Sequence, residues 1–288
     1  MKVGLVTPLP PPPPARPVDP APLARAAERL GFESFWAQEH TIAPVRVESR
    51  SRVFGDGQVP GFADPIVVLS RCSGVTSRIK LGTATLLPAE HNPLILAKSL
   101  ATLDWFSGGR LLVGVGAGWL REEAEIMGVD FDRRWTQVRE AMQVVQRLWT
   151  RDEAEFHGRY YDFPALRSLP KPLQTPHPPI LLGGTAPNVL KRVAAWGDGW
   201  IPHWVDLEQV AEARQRLDEL ASAAGRDPAS LGITVYSDEQ DLDTVRGLHQ
   251  AGAERVVVRL PVVESVRAGE QEAETLAKRL SLADLARS

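Results

Sequence analysis

The fold class this sequence predicts is α/β, an eight-stranded (β/α)8 TIM barrel, and two observations predict it. Eight short apolar runs alternate with longer helical segments along the whole chain. Several of the runs ("VGLV", "ILLG", "RVVVRL") are almost wholly apolar, as strands of a parallel sheet covered on its outer face must be. Three helices also close on a glycine that hands over to the next strand, in "ERLGFESFW", "AAWGDGWIP" and "HQAGAERVVV", which read as weak copies of one unit. Strict alternation favours a closed barrel; an open doubly wound sheet is the alternative, because sequence does not display closure.

In chain order the strands fall at about 2–7, 34–38, 79–87, 111–117, 179–183, 199–202, 231–236 and 255–260. Asp19-Pro20, Asp64-Pro65 and Asn92-Pro93 each set a capping side chain before a proline, the signature of a helix start. Between Trp135 and Trp149 the apolar residues Val138, Met142, Val145 and Leu148 form a helical stripe. Three connections are unusual. A proline run at 10–14 follows strand 1 and reads as a stiff, extended spacer. An insertion at about 41–63 follows strand 2 and carries Arg46, Arg50 and Arg52; a second, at about 151–178, precedes strand 5. Long connections of this kind often act as lids. No shift in composition marks a second domain, so residues 1–288 are expected to form one.

Composition narrows the function. With 33 basic and 36 acidic side chains the net charge is −3, which gives no electrostatic reason to expect nucleic acid or a membrane surface as partner. Cys72 is the one cysteine, so no internal disulfide framework exists and a reducing compartment fits. The N-terminal apolar run is too short for a secretory signal, and no stretch approaches the ~20 apolar residues of a membrane helix. A cytoplasmic protein acting on a small molecule is the expectation.

The stretch "SGGRLLVGVGAGW", Ser107 to Trp119, resembles a nucleotide-binding signature, but the spacing G-x-G-x-x-G fails. Counted from Gly114 the sixth position is Trp119, and from Gly116 it is Arg121. These glycines are then expected to let a flat or anionic ligand approach backbone at a barrel mouth, or else to permit tight packing. A second cluster, Gly183-Gly184-Thr185, ends strand 5 ahead of a helix expected from about Ala186. Amides at a helix start beside a threonine hydroxyl make a natural phosphate cradle, although barrels more often place it after strands 7 and 8.

The segment "LGTATLLPAEHNPLILAKSLATLDWFSGGRLLVGVGAGW" (81–119), with "GFESFWAQEH" and "ILLGGTAPNVL", resembles the luciferase-like monooxygenase superfamily, and within it the oxidoreductases that use the deazaflavin coenzyme F420. The likeness covers most of the first 200 residues; the C-terminal third matches only in barrel pattern. It implies a luciferase-like barrel with a non-proline cis peptide at Ala84–Thr85, backing the central ring of a flavin or deazaflavin. It further implies that Gly116, Ala117, Gly118 and Trp119 border the cofactor's side chain and that Gly183, Gly184 and Thr185 meet its phosphate. Asn92 is expected either to reach the ring or simply to cap its helix. Members of the superfamily are often dimers, which makes a homodimer the assembly the resemblance implies.

Three of the six histidines, His40, His91 and His203, stand at expected strand ends. The resemblance makes His40 the acid/base residue, and an imidazole titrating near ~6.5 suits that task. Trp36, Trp119 and Trp204 are candidate pocket walls, with Trp119 the strongest. The arginines of the 41–63 insertion are either an attraction for the coenzyme's acidic tail or a solvated charged loop. The implied reaction is hydride transfer between F420 and an unidentified organic substrate. The alternatives are an FMN-dependent monooxygenase of the same superfamily and a metal-dependent barrel hydrolase. The last lacks support in spacing, since no H-x-H or H-E-x-x-H pair exists, and no metal ligands are expected.

Overall fold

The computed structural model describes residues 1–9, 16–48 and 61–285. The proline run at 10–14 and the arginines at 50 and 52 lie outside the described residues. Ten strands run in chain order: β1 (Lys2–Val6), β2 (Ser34–Ala37), β3 (Lys80–Thr83), β4 (Leu111–Val115), β5 (Ala154–His157), β6 (Asp162–Leu166), β7 (Ile180–Gly183), β8 (Gly199–Ile201), β9 (Gly232–Ser237) and β10 (Arg255–Arg259). Eight of them close a barrel in the order β1-β10-β9-β8-β7-β4-β3-β2, all pairs parallel, while β5 and β6 form a separate antiparallel pair. The eight staves are the eight predicted strands, each within a few residues of its expected limits. The open-sheet alternative is ruled out.

The helices that wrap the staves begin where the sequence says they should. Asp19, Asp64 and Asn92 cap α1 (Pro20–Leu30), α2 (Pro65–Ser73) and α3 (Pro93–Ser107), each accepting backbone amides ahead of a proline at the first helical position. Gly31 and Gly108 end α1 and α3 in the left-handed conformation. Between β4 and β5 lie α4 (Arg121–Ile126) and α5 (Arg134–Thr150), and the predicted stripe of α5 is buried. One start differs from expectation. The helix after β7, α6, runs from Val189 to Trp196, three residues later than Ala186. Ala186 precedes a proline, which disfavours helical backbone at that position; a turn at 187–188 intervenes.

Side chains fill the barrel in two layers. The outer one packs staves against helices; the inner one holds Val6, Trp36, Ala84, Leu112, Leu181, Ile201, Tyr236 and Val257. Trp36 is its largest member, fully buried, and its indole N–H donates to Ser34 Oγ at 2.7 Å. The barrel admits so large a ring because Gly82, on the neighbouring stave, has no Cβ where the ring lies. Trp36 is therefore core, not pocket wall.

The 151–178 connection departs from its expected role. It follows α5 and precedes β7, so it lies at the N-terminal face of the barrel, away from the mouth. It carries the β5–β6 pair, whose Phe156 is buried, and it is pinned from below. Asp104 accepts from the amides of Leu173 and Gln174, and Lys171 donates to the carbonyl of Leu148 at 2.7 Å. It is not a lid over the mouth. After the eighth stave, α9 (Val266–Arg279) packs against α1 and completes the outer layer.

Candidate active site

At the C-terminal ends of the staves opens a cavity of about 470 Å³, within the range of small-molecule sites. Ala84, Thr85, Gly116, Ala117, Gly118, Trp119, Gly183, Gly184, Thr185 and His40 all line it. Of the predicted site residues Asn92 alone is not among the lining residues: its side chain accepts from the amides of Leu94 and Ile95, so the capping reading fits the geometry and the ring-contact reading does not.

Backbone builds the wall on the β3, β4 and β7 side. The peptide bond between Ala84 and Thr85 is cis, and the chain rejoins the sheet at Leu86, which bridges to Val115. Thr85 sits between two glycines. A Cβ at Gly116 would strike its hydroxyl, and one at Gly183 would press its methyl at 2.9 Å. Gly114, which is not among the lining residues, would meet the carbonyl of Thr83. Tight packing thus explains Gly114, Gly116 and Gly183. Gly118 and Gly184 differ, with positive φ of +75 and +87; a Cβ at Gly184 would meet nothing within 4 Å.

Next to this turn, Thr185 and Gly184 are exposed, and the amides of Thr185, Ala186 and Asn188 donate to no backbone carbonyl, whereas that of Val189 is bound to Ala186. Exposed donors around an open glycine fit a phosphoryl group without any cationic side chain.

The β2 end supplies the titratable groups. His40 Nδ1 lies 2.5 Å from Glu123 Oε2, and Trp119 Nε1 lies 3.3 Å from His40 Nε2. An indole N–H only donates. With Nε2 accepting, the ring proton belongs on Nδ1, donated to Glu123. The other Glu123 oxygen accepts from the amide of Ile42, which holds the carboxylate in place. Phe62, from the 41–63 insertion, stacks on His40 with centroids 5.7 Å apart. This insertion, unlike the second, does contribute to the mouth; its Arg46 is exposed and is not a lining residue.

Glu39 turns the other way. It accepts from the amide of Leu87 and pairs with His91 at 2.8 Å; burial opposes the charge on His91, but the Glu39 carboxylate more than offsets it and raises the pKa. Beneath lies Glu90, one oxygen buried without a hydrogen-bond partner. Burial, then the carboxylates of Glu123 and Glu39, lift it to about 8.

Side chains form the wall on the β8, β9 and β10 side: His203, Trp204, Tyr236 and Arg259. Burial, then the Arg259 cation, pushes His203 down to about 4, and burial raises Tyr236 to about 12. Both are neutral at pH 7. Arg259 Nε donates to the Tyr236 hydroxyl at 3.0 Å and its Nη2 meets Asp238 at 3.0 Å. Of these, sequence reading singled out His203 and Trp204, and neither for this grouping. The available signal was a second arginine, closing the apolar run of "RVVVRL" at the C-terminal end of a strand. Glu123 was missed because it sits on a short helix with no motif of its own.

The three strand-end histidines do not converge: His40 meets Glu123, His91 meets Glu39, and His203 packs on Tyr236 with centroids 4.2 Å apart. Among the described residues no group of three or more His, Cys, Asp or Glu side chains is arranged to hold a metal ion. No described helix is long and apolar enough to cross a membrane.

This barrel and its mouth define a family. The chain belongs to the luciferase-like monooxygenase family, whose model matches residues 1–238. An uncharacterized protein of Mycobacterium tuberculosis is 43% identical over 221 residues, 74% of this chain and 77% of that one. An FMNH2-dependent dimethylsulfone monooxygenase of Pseudomonas putida is 28% identical over 77% of this chain and 58% of its own. An F420-dependent glucose-6-phosphate dehydrogenase of Amycolatopsis mediterranei is 30% identical over 61% of this chain and 50% of its own. Among solved structures, a monooxygenase from Streptomyces bottropensis superimposes with TM-score 0.77 at 22% identity, covering 99% of this chain and 100% of that one. The F420-dependent tetrahydromethanopterin reductase of Methanopyrus kandleri gives 0.76 at 19%, covering 98% of each. The fold is that of luciferase-like oxidoreductases, a family in which both F420- and FMN-dependent relatives occur.

Proposed function

We propose that the protein is an F420-dependent oxidoreductase that transfers a hydride between the deazaflavin and a small organic substrate. The observation that carries this reading is His40: a cavity-lining imidazole whose proton is held on Nδ1 by Glu123, leaving Nε2 directed at Trp119 and the cavity wall. Once a substrate hydroxyl replaces the long Trp119 N–H contact at Nε2, such a group takes or returns one proton at a substrate oxygen.

When bound, a deazaflavin supplies two-electron hydride chemistry, and the protein supplies orientation and proton management. The backbone at Ala84–Thr85 would back the ring, Gly116 to Trp119 would border the cofactor's side chain, and the amides beside Gly184 with the Thr185 hydroxyl would hold the phosphoryl group. The open space at Gly184 supports that assignment. Glu123 orients His40 and stabilises the imidazolium once His40 takes a proton. Phe62 and Trp119, packed on the imidazole, limit water at that atom.

FMN is the second reading, and one observation favours it: the FMNH2-dependent relative matches 77% of this chain against 61% for the F420-dependent one. Titrating the purified protein with each cofactor, followed by fluorescence, separates the two. The F420 reading expects saturable binding of the deazaflavin and at least about tenfold weaker binding of FMN, a gap of ~1.4 kcal/mol. Saturable FMN binding with none of the deazaflavin overturns it.

A further inference from the structure

The order of the staves places β9 four positions from β3, directly across the barrel. A ring backed by Ala84–Thr85 at the end of β3 would therefore turn its open face toward the ends of β8, β9 and β10, where His203, Tyr236 and Arg259 stand. We propose that this wall is a substrate subsite that takes the carboxylate of an organic acid. The inference rests on the oxidoreductase reading for which face the substrate approaches; the donor set itself does not depend on it.

The donors converge without a full set of acceptors. Tyr236 oxygen accepts from Arg259 Nε, so its own proton is left to donate, and it meets no protein acceptor among the described residues. His203 Nε2 is buried and has no hydrogen-bond partner among the described residues; a neutral imidazole with its proton there adds another donor. Arg259 gives one nitrogen to Tyr236 and another to Asp238. Asp238 is half-exposed and already accepts from Trp204 Nε1 at 2.9 Å. Buried donors of this kind are costly unless a ligand pairs with them.

Charge and shape choose the ligand class. Among the described residues no lysine lines the cavity, and the other lining arginine, Arg134, stands at the β4 end, where it donates to the carbonyls of Gly118 and Phe131. A single guanidinium, partly balanced by Asp238, suits one negative charge better than a phosphate dianion. Its planar fork matches a carboxylate. Arg259 also lies beyond residue 238, where the family match ends, as expected of a residue that sets this chain's own specificity.

The test is calorimetric titration of the full-length protein, alone and saturated with deazaflavin, using benzoate and its neutral isostere benzamide as probes. Benzoate is expected to bind at least about tenfold more tightly than benzamide in both states, the worth of a charge-assisted hydrogen bond. Arg259→Met should weaken benzoate by about tenfold or more while deazaflavin affinity stays within about twofold, and Tyr236→Phe should weaken it by about three- to tenfold. Equal binding of benzamide, no binding of benzoate, or no response to these substitutions overturns the proposal. So does displacement of benzoate by the coenzyme, which would assign the site to the coenzyme's own carboxylates. Should Arg259→Met fail to fold, Tyr236→Phe and the benzamide comparison still decide. If benzoate follows this pattern while deazaflavin does not bind, the F420 reading fails and the acid subsite stands; the converse result sinks the subsite alone.

Discussion

The two walls of the cavity are made of different material. On the β3–β4–β7 side the surface is backbone: a cis peptide, two glycines packed on Thr85, and a third, Gly184, facing open space. On the β8–β9–β10 side it is side chains, drawn from three separate staves, with Arg259 joining the last two. Backbone has one chemistry whatever the sequence, so the first wall suits a ligand shared across a family. Side chains vary freely, so the second suits one that is not. The contrast teaches where constancy and specificity reside in this barrel.

Substitutions that treat the walls differently can break that division. The largest effect is expected at the junction between them. His40→Ala should lower single-turnover hydride transfer by about 10²- to 10⁴-fold, the usual worth of a positioned acid/base, with deazaflavin affinity nearly unchanged; rapid-mixing absorbance of the coenzyme reads the first and fluorescence titration the second. Gly116→Ala drives a methyl into Thr85 and should cost about 1–3 kcal/mol of stability, as overpacking does, with at least about tenfold weaker coenzyme binding. Chemical denaturation and the same titration check it.

Gly184→Ala sharpens the comparison, because here there is room for the methyl and only the left-handed backbone resists it. A cost of about 1–2 kcal/mol is expected, read as weaker coenzyme binding where the loop rearranges, with benzoate binding intact. If Gly184→Ala damages benzoate binding as much as coenzyme binding, the walls are not separate.

The last effect is on stability and lies below the floor, at Glu90. Its carboxyl titrates at about 8 when folded, against 4.5 for the ordinary group. The folded protein therefore holds a proton that the unfolded chain releases, and stability falls as pH rises from about 4.5 to about 8. Glu90→Gln should remove that loss. Its melting temperature should equal wild type near pH 4 and exceed it by a margin that widens up to about pH 8, measured by thermal denaturation across that range.

Legibility followed the same division. Barrel staves were readable because each is a short apolar run between capped helices, and the glycine turns because backbone sites need glycine in contiguous stretches such as "GVGAG" and "LLGGT". The far wall was not, since Tyr236 and Arg259 are single residues on different strands with no local pattern. Glu123 escaped for the same reason. The 151–178 segment was misjudged as a lid because length was weighed without its place: a connection from helix to strand lies at the closed end of a barrel. The helix after β7 begins at Val189 rather than Ala186 because Pro187 disfavours helical backbone at the residue before it.

The central claim is that backbone at the β3 and β7 ends cups a deazaflavin and its phosphoryl group. A crystal structure of the protein grown with F420 tests it most directly. The account predicts electron density for the ring against Ala84–Thr85 and for the phosphoryl group beside Gly184 and Thr185. Density for the phosphoryl group elsewhere, or a ring lying against Tyr236 and Arg259, would contradict it.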